Sequence, residues 1–251
     1  MLSKSQIKLI SSLKLKKERY EQRLFTVEGE KPVKELLESA WPVQLLVVRI
    51  DWYEREHPAW LQSTNTPIEL VSATDMERLT QLNSASPILA VAPIQQLEWT
   101  WHKGQEGFVM VLDRIADPGN LGTLLRIADW FGFSGVLCSS DTVDLFNAKT
   151  IQASMGSAFR IPVLYGDLVE WVAKEDADRI FAATMTGNPV NAQSFGKGGL
   201  LLIGSEAHGL DPVLAAMAGH QVHIPGFGKA ESLNAAVAAG IMASWVRLGQ
   251  G

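Results

Sequence analysis

Three short segments, far apart in the chain, combine turn-forming residues with polar side chains that could do chemistry. The first is Asp117-Pro118-Gly119-Asn120-Leu121-Gly122 with Arg126, the second is Gly204-Ser205-Glu206-Ala207-His208-Gly209-Leu210, and the third is Ile224-Pro225 followed by Glu231-Ser232-Leu233-Asn234. Each segment follows a run of residues with the pattern of a buried strand. Because ligands of parallel sheets bind beyond the carboxyl ends of the strands, we expect one shared site at this edge.

Local structure alone could explain each of these polar residues. Asn120 and Ser232 are both of the types that cap helix N-termini, and Glu206 could be a solvated loop residue. Alternatively, a Gly-rich turn into a helix can bind an anion through its N–H groups, and Arg126 can add a bidentate contact to phosphate. The glycines on both sides of Glu206 likewise indicate a backbone that a ligand approaches closely.

Missing motifs disfavour several common enzyme classes. No Gly-x-Gly-x-x-Gly follows the first strand of the C-terminal region, and no Gly-Lys-Ser/Thr closes a phosphate loop. The histidines lack the His-Glu-x-x-His spacing of zinc hydrolases, and Ser205 lacks the following glycine of a nucleophile elbow. The single cysteine, Cys138, is expected to be a small buried hydrophobe. We therefore expect no metal site and no hydrolase.

The composition is that of a globular protein with an uneven charge distribution. The chain has 251 residues, of which 47% are hydrophobic, and a net charge of −5. No apolar run approaches the ~20 residues of a membrane span, and the N-terminus lacks a signal-peptide core, so we expect a cytoplasmic protein. The first 35 residues are nevertheless locally basic, for which a solvated helix face is one sufficient explanation.

The apolar pattern divides the chain into two α/β regions. In the first, we expect helices over 3–20 and 31–39, a helix that contains Met76 and Leu79, and strands over 25–29, 45–48, 68–71 and 88–92. In the second, buried strands are expected over 108–112, 135–138, 180–183, 200–203 and 222–224. Such apolar strands alternating with helices indicate a mainly parallel sheet with helices on both faces. The predicted domains are 1–94 and 107–251, joined by a linker over 95–106.

In order and spacing, the three segments resemble the signature motifs of the SpoU (TrmH-like) family of RNA ribose 2′-O-methyltransferases, of the SPOUT superfamily. These motifs are Asn-x-Gly-x-x-x-Arg, Gly-x-Glu-x-x-Gly-Leu, and Ile-Pro followed by Ser-Leu-Asn. The resemblance extends from residue 108 to the C-terminus, includes 154–158 before an expected strand over 159–163, and links 19–39 to the family's substrate-binding domain. It implies a C-terminal trefoil knot, S-adenosylmethionine as cofactor, rRNA or tRNA as substrate, and a homodimer.

The same resemblance assigns roles to individual residues. The catalytic and RNA-orienting set would be Asn120, Arg126, Glu206, Ser232 and Asn234. The cofactor pocket would be lined, largely by backbone groups, by Gly204, Ile224 and Leu233, with Thr184 as a further candidate. Arg126 would act near or across the dimer interface, either as general base or by gripping a phosphate and favouring oxyanion charge. Ala207 and Gly226 depart from the commonest family pattern without removing a functional side chain.

With this resemblance, the basic N-terminal region becomes a candidate for RNA contact. The residues proposed for it are Lys14, Lys16, Lys17, Arg19 and Arg23. An alternative function is that of a catalytically silent RNA-binding or assembly factor with the same fold. The enzyme is favoured by four intact residues, because a silent relative has no chemical reason to keep them. These are Arg126, Glu206, Ser232 and Asn234. A small-molecule methyltransferase would leave the basic region unexplained.

Overall fold

Two separate β-sheets organise the chain in the computed structural model, which describes residues 2–248. One unit holds the chain up to Gln95 together with Asp144–Phe159, and the other holds Gln96–Val143 and the chain from Arg160 onward. The sequence-based partition into 1–94, 95–106 and 107–251 stays a prediction of domain boundaries. The contacts of the folded chain differ from it in two respects. Residues 144–159 belong to the N-terminal unit, and residues 96–106 of the expected linker belong to the C-terminal unit, where Trp101 lies in the core.

The N-terminal unit is a four-stranded mixed sheet with helices around it. Its strands are β1 Leu24–Glu28, β2 Leu45–Arg49, β3 Ile68–Val71 and β4 Ile88–Pro93, in the order β1-β4-β2-β3. Strand β4 runs antiparallel to β1 and β2, whereas β2 and β3 are parallel. The helices are α1 Lys4–Ser12, α2 Lys16–Gln22, α3 Glu30–Glu38, α4 Ile50–Glu56, α5 Ala59–Gln62, α6 Ala73–Leu79 and, returning later in the chain, α8 Ala148–Ser154.

The expected helix over 3–20 is two helices in the structure. A capping box between Ser3 and Gln6 starts α1, which ends before the fully buried Leu13. The chain turns there because Leu13 enters the core. The Arg19 guanidinium stabilises the turn by donating hydrogen bonds to the carbonyls of Leu13 (2.8 Å) and Lys14 (3.0 Å). Burial of one apolar residue thus overrides the helical pattern of the surrounding sequence.

The C-terminal unit is a six-stranded sheet in which every recorded pair of strands is parallel. Its strands are β5 Gly107–Asp113, β6 Gly135–Ser139, β7 Val163–Gly166, β8 Ile180–Pro189, β9 Gly198–Gly204 and β10 His220–His223, in the order β10-β8-β9-β5-β6-β7. The helices are α7 Pro118–Trp130, α9 Leu168–Val172, α10 Pro212–Met217 and α11 Ala235–Leu248. The predicted fold class is therefore confirmed, and the trefoil knot stays a prediction of the family resemblance.

Alternating residues of β5 explain why helices cover both faces of this sheet. Val109 and Val111 point into one core with Leu168 of α9 and Leu214 of α10. Phe108 and its alternating neighbours are buried on the other face, the side on which α7 and α11 pack against each other. Cys138 on β6 is buried as expected, and burial raises the pKa of its thiol. No helix among residues 2–248 is long and apolar enough to cross a membrane.

One predicted strand is wrong. The sequence pattern favours a strand over 159–163, but the structure has a 3-10 turn at Ser157–Phe159 and places β7 at Val163–Gly166. Phe159 is drawn into an aromatic cluster of the N-terminal unit, where its ring centroid lies 5.7 Å from that of Trp41 and 6.5 Å from that of Phe25. Pro162, which has no N–H to donate to a sheet, separates this residue from β7.

Candidate active site

Three side chains from the three segments meet at the carboxyl edge of the C-terminal sheet. Asn120 Nδ2 donates to Glu206 Oε1 at 3.0 Å, and Asn234 Nδ2 donates to Asn120 Oδ1 at 3.0 Å. Asn234 Nδ2 also donates to Glu206 Oε1, and so does the backbone N–H of Ala235, at 3.2 Å. We call Asn120, Glu206 and Asn234 the site network. It joins residues 86 and 114 positions apart from Asn120 in the sequence.

The helix start after β5 explains why the Asn120 side chain is free to join the network. Asp117 is the N-cap of α7, accepting the N–H of Asn120 at 2.8 Å, and Pro118 follows at the first helical position. The capping role that Asn120 could have played is therefore taken by Asp117. Asn120 points its amide across to the second and third segments instead.

Asn234 and not Ser232 caps the long C-terminal helix. Helix α11 begins at Ala235, and Asn234 Oδ1 accepts the N–H groups of Ala236 (3.0 Å) and Val237 (3.2 Å). The same amide therefore caps the helix through its oxygen and reaches the network through its nitrogen. Ser232 lies exposed, two residues before this cap. Ser232 therefore does not cap α11, although its residue type suits that role.

The loop that carries Glu206 is held by close backbone contacts. A Cβ on Gly204 would lie 2.2 Å from Gly209 C and from Leu210 N, so only glycine fits there. The Gly209 N–H closes the turn on the Ser205 carbonyl at 2.9 Å. At the end of the loop, the Asp211 N–H donates to Asp113 Oδ2 at 2.8 Å, which ties this loop to the end of β5. Sequence reasoning missed this tether, because no local signal links the two aspartates.

The predicted cofactor residues lie along the same edge of the sheet. Gly204 ends β9, Ile224 follows β10, and Leu233 precedes α11 with its side chain 45% exposed. Thr184 lies in β8, where the register with β10 passes from Ala182↔Gln221 to Asn188↔Val222 and leaves 183–187 as an arch. The Thr184 hydroxyl donates to the Thr186 carbonyl within this arch.

The third segment suits a ligand that is held by backbone groups. Residues 225–233 lie outside helices and strands, and within the described chain no hydrogen bond is recorded for their backbone N–H and C=O groups. A Cβ on Gly226 or Gly228 would meet no atom within 4 Å, so the backbone is open to close approach. These properties fit a nucleoside with an amino-acid tail such as S-adenosylmethionine. Residues 2–248 contain no cluster of His, Cys, Asp or Glu suited to a metal ion.

Arg126 is not part of the site network. It lies exposed on α7, and in the part of the chain that the structure describes no hydrogen bond or ion pair involves its guanidinium. Trp130, one turn further along the same helix, is 85% exposed. The structure thus brings together three of the five predicted catalytic residues, and it leaves Arg126 and Ser232 exposed outside this network.

The basic candidates of the N-terminal unit divide into two kinds. Lys14, Lys16, Lys17 and Arg23 are exposed, as a phosphate contact requires. Arg19, in contrast, is 3% exposed, and its Nη2 lies 2.6 Å from Asp144 Oδ2. The prediction that Arg19 binds RNA is therefore wrong, because its charge is buried and already paired.

Arg19 belongs to a polar cluster within the N-terminal unit, in which Arg19 and Asp144 are buried and Tyr20 is 47% exposed. The Tyr20 hydroxyl donates to Asp144 Oδ1 at 2.8 Å, so both carboxylate oxygens of Asp144 have partners. Burial, followed by the charge of Asp144, raises the pKa of Tyr20. We call Arg19, Tyr20 and Asp144 the Asp144 cluster. It fixes the start of the returning segment Asp144–Phe159 onto α2.

Comparison with known proteins identifies the family. Residues 107–244 match the family model of the SpoU rRNA methylase family, and residues 4–90 match the MRM3-like substrate binding domain. The first match alone covers more than half of the chain. This chain therefore belongs to the SpoU rRNA methylase family.

Individual relatives align along nearly the whole chain. The 23S rRNA (guanosine(2553)-2′-O)-methyltransferase RlmP of Bacillus subtilis is 31% identical over 243 residues, which are 94% of this chain and 93% of that protein. An S-adenosylmethionine-bound rRNA methyltransferase from Sinorhizobium meliloti is 30% identical, with a TM-score of 0.83 over 99% of this chain and 97% of that one. The SpoU methyltransferase AviRb from Streptomyces viridochromogenes, in complex with S-adenosylmethionine, is 26% identical, with a TM-score of 0.85 and coverage of 99% and 98%.

Proposed function

We propose that this chain transfers a methyl group from S-adenosylmethionine to a ribose 2′-hydroxyl of 23S rRNA. The observation that carries the proposal is the site network, which brings Asn120, Glu206 and Asn234 of three family motifs to one point. Two curated relatives of this chain are named as 2′-O-methyltransferases of 23S rRNA. A catalytically silent assembly factor has no support in these relatives. We also propose a cytoplasmic location, which an rRNA substrate supports.

The residues proposed for the cofactor act mainly through their backbones. When bound, S-adenosylmethionine supplies a methyl group on a positively charged sulfur. Gly204, Ile224 and Leu233 hold it beside the site network, and Thr184 approaches from the arch in β8. Because Leu233 directly precedes Asn234, the same short segment contacts the methyl donor and carries the site network. Cofactor binding and substrate orientation are thereby coupled.

Glu206 acts in this proposal as a positioning residue. Its Oε1 atom takes donors from Asn120, Asn234 and the backbone of Ala235, so that oxygen is occupied in holding the loop, α7 and α11 together. The network thereby fixes Asn234 at the start of α11, and we propose that the exposed Ser232 hydroxyl, two residues earlier, faces the ribose. Much of the rate of such a transfer comes from orientation of the hydroxyl toward the methyl group.

Arg126 is proposed to hold the RNA phosphate next to the reacting ribose. An arginine keeps its proton at pH values below about 12, so it suits a bidentate phosphate contact and stabilisation of developing oxyanion charge better than proton removal. Its exposure and its freedom from protein partners within residues 2–248 leave the guanidinium available for this contact. The general-base role implied by the family resemblance is the alternative.

A homodimer is proposed through the exposed apolar face of α7 and α11. This face consists of Trp130 (85% exposed) on α7 with Val237 (52%), Trp245 (39%) and Leu248 (77%) on α11. Several exposed apolar side chains on two helices that pack against each other favour a protein interface here. Arg126 lies one turn from Trp130, so a dimer formed here would bring Arg126 to the subunit boundary. Trp130→Glu is expected to yield monomers in analytical ultracentrifugation and to reduce methylation, whereas a dimeric Trp130→Glu would contradict this interface.

The exposed Lys14, Lys16, Lys17 and Arg23 are proposed to contact RNA phosphates. Contacts of this kind release counterions, so RNA affinity should fall steeply with salt concentration. The match of residues 4–90 to a substrate-binding domain supports this assignment.

Mapping of 2′-O-methyl sites in total RNA, from cells with and without the protein, tests the proposed function. We expect one ribose methylation in 23S rRNA to disappear and to return with the wild-type gene. Calorimetric titration of the purified protein with S-adenosylmethionine is the companion measurement. Unchanged methylation together with no cofactor binding would reject the enzyme in favour of the silent assembly factor.

A further inference from the structure

The loop between β10 and α11 carries one aromatic ring that is entirely in solvent. Phe227 is 100% exposed, the highest value among the exposed large hydrophobic residues of the described chain. It lies between Gly226 and Gly228, whose added Cβ atoms would meet nothing within 4 Å. The ring therefore has open space around it and a backbone on both sides that can adjust.

This ring lies close to the proposed reaction centre along the chain. Phe227 precedes Ser232 by five residues and Asn234 by seven. Asn234 is fixed to Asn120 and Glu206, and a fully extended chain covers at most ~3.6 Å per residue. The ring is consequently held within roughly 25 Å of the site network. A substrate RNA bound at that network passes within reach of it.

The surroundings of Phe227 differ from those of the apolar α7–α11 face. That face carries four exposed apolar side chains on two helices that pack against each other, which fits another protein surface. Phe227 instead is flanked by two exposed glycines and is followed by the exposed Lys229, Glu231 and Ser232. An isolated ring with a nearby cation fits a nucleotide, because a base offers a flat π-face and its phosphate carries negative charge.

We propose that Phe227 stacks on an unpaired base of the substrate RNA next to the reacting ribose, with Lys229 on the adjacent phosphate. This inference rests on the proposed function and adds a base-stacking contact to it. Stacking of single-stranded bases on aromatic side chains is tolerant of sequence. Phe227 therefore holds the strand in place and leaves recognition of the particular nucleotide to other residues.

The test compares variants of Phe227 in the full-length protein, with in vitro transcribed and hence unmethylated 23S rRNA as the probe. Phe227→Ala is expected to raise the Kd for this RNA and the KM for methylation about tenfold or more. Phe227→Tyr keeps the π-face and is expected to retain wild-type values, whereas Phe227→Leu keeps only apolar character and should resemble Phe227→Ala. Val213→Ala, which shortens another exposed apolar residue of the same unit, is the matched control and should change nothing.

Further readouts separate this contact from its competitors. The Kd for S-adenosylmethionine and the dimer mass should be the same in Phe227→Ala as in the wild type. An unchanged RNA Kd in Phe227→Ala, or a Leu variant equal to the Tyr variant, would overturn the proposal. So would a parallel loss of cofactor affinity or of the dimer. If the wild type methylates no RNA, the proposed function fails, while the ratio of RNA affinities still decides whether Phe227 stacks.

Discussion

The Asp144 cluster and the site network contain similar polar groups but serve different purposes. Both join residues more than 80 positions apart through a shared carboxylate. In the Asp144 cluster, Arg19 and Asp144 are 3% and 5% exposed, and both carboxylate oxygens are used inside the fold. In the site network, all three residues remain accessible to solvent. Burial thus separates polar residues that hold the fold from those that are available to a substrate.

Two arginines make the same contrast in a single residue type. Arg19 lies on the seven-residue helix α2 and Arg126 on the thirteen-residue helix α7, and the sequence suggested an RNA contact for each. Arg19 donates to Asp144 and to two backbone carbonyls, whereas Arg126 has an exposed guanidinium. Only the second can meet a phosphate without first breaking the protein's own contacts.

The largest expected effect is on stability, from Asp144→Ala. This change leaves the Arg19 guanidinium buried without its partner, which typically costs about 3–5 kcal/mol of unfolding free energy. Denaturant unfolding measures it. Glu21→Ala is the control, because it removes the exposed Lys17–Glu21 pair of the same helix and should cost ~1 kcal/mol or less. Equal losses in the two variants would contradict a structural role for the Asp144 cluster.

Arg126→Ala should leave stability nearly unchanged and reduce methyl transfer by roughly 10²–10³-fold, as loss of an oxyanion-stabilising donor does. The Kd for S-adenosylmethionine should be that of the wild type, because Arg126 faces the RNA in this account. Radiolabelled methyl transfer and calorimetry measure the two quantities. Lys174→Ala, at an exposed cation paired with Glu170, is the control. A matching loss of cofactor affinity would refute this division of labour.

Asn234→Ala should affect both stability and catalysis. It removes the N-cap of α11, worth about 1 kcal/mol, and two bonds of the site network. Asn147→Ala removes the N-cap of α8, where Asn147 accepts the Lys149 N–H at 2.9 Å, and lies in the N-terminal unit. We expect similar losses of stability in the two variants but a loss of methylation only in Asn234→Ala. Equal methylation rates would show that Asn234 serves the helix alone.

The smallest effect concerns the pH dependence of stability at Glu28. Burial raises the pKa of this carboxyl, even though Thr80 Oγ1 (2.5 Å) and the Gln81 N–H (2.7 Å) donate to it. A raised pKa means that the folded state binds the proton more tightly than the unfolded state. Its stabilising contribution is therefore present below the ordinary Glu pKa of about 4.3 and is lost as pH rises through the folded pKa.

Glu28→Gln should abolish this dependence, because the amide does not titrate. Denaturant unfolding of wild type and variant between acidic and neutral pH measures the difference between their unfolding free energies. As pH rises, the unfolding free energy of the wild type should fall relative to that of Glu28→Gln. A constant difference would contradict the pKa shift. Methylation at neutral pH should be unaffected, because Glu28 is buried and belongs neither to the site network nor to the exposed basic residues proposed for RNA contact.

Sequence patterns predicted the C-terminal sheet and the meeting of the three motifs, because apolar strands and Gly-rich turns are local signals. They did not predict which asparagine caps a helix, since Asn120 and Asn234 are of the same type and differ only in their tertiary partners. The burial of Arg19 was equally invisible, because Asp144 lies 125 residues away. Phe159 lies in an aromatic cluster with Phe25 and Trp41 and not in the strand that the sequence predicts. These contacts join residues far apart in the chain, so no local sequence pattern could predict them.

The central claim, methyl transfer to a ribose at the site network, is tested most directly by where the methyl group arrives. Unmethylated 23S rRNA would be incubated with the protein and methyl-tritiated S-adenosylmethionine, then hydrolysed with alkali. A 2′-O-methyl group removes the hydroxyl that attacks the neighbouring phosphodiester, so the label is predicted in an alkali-resistant dinucleotide and to be lost in Asn234→Ala. Label in mononucleotides, which indicates a methylated base, or label that persists in Asn234→Ala would contradict the account.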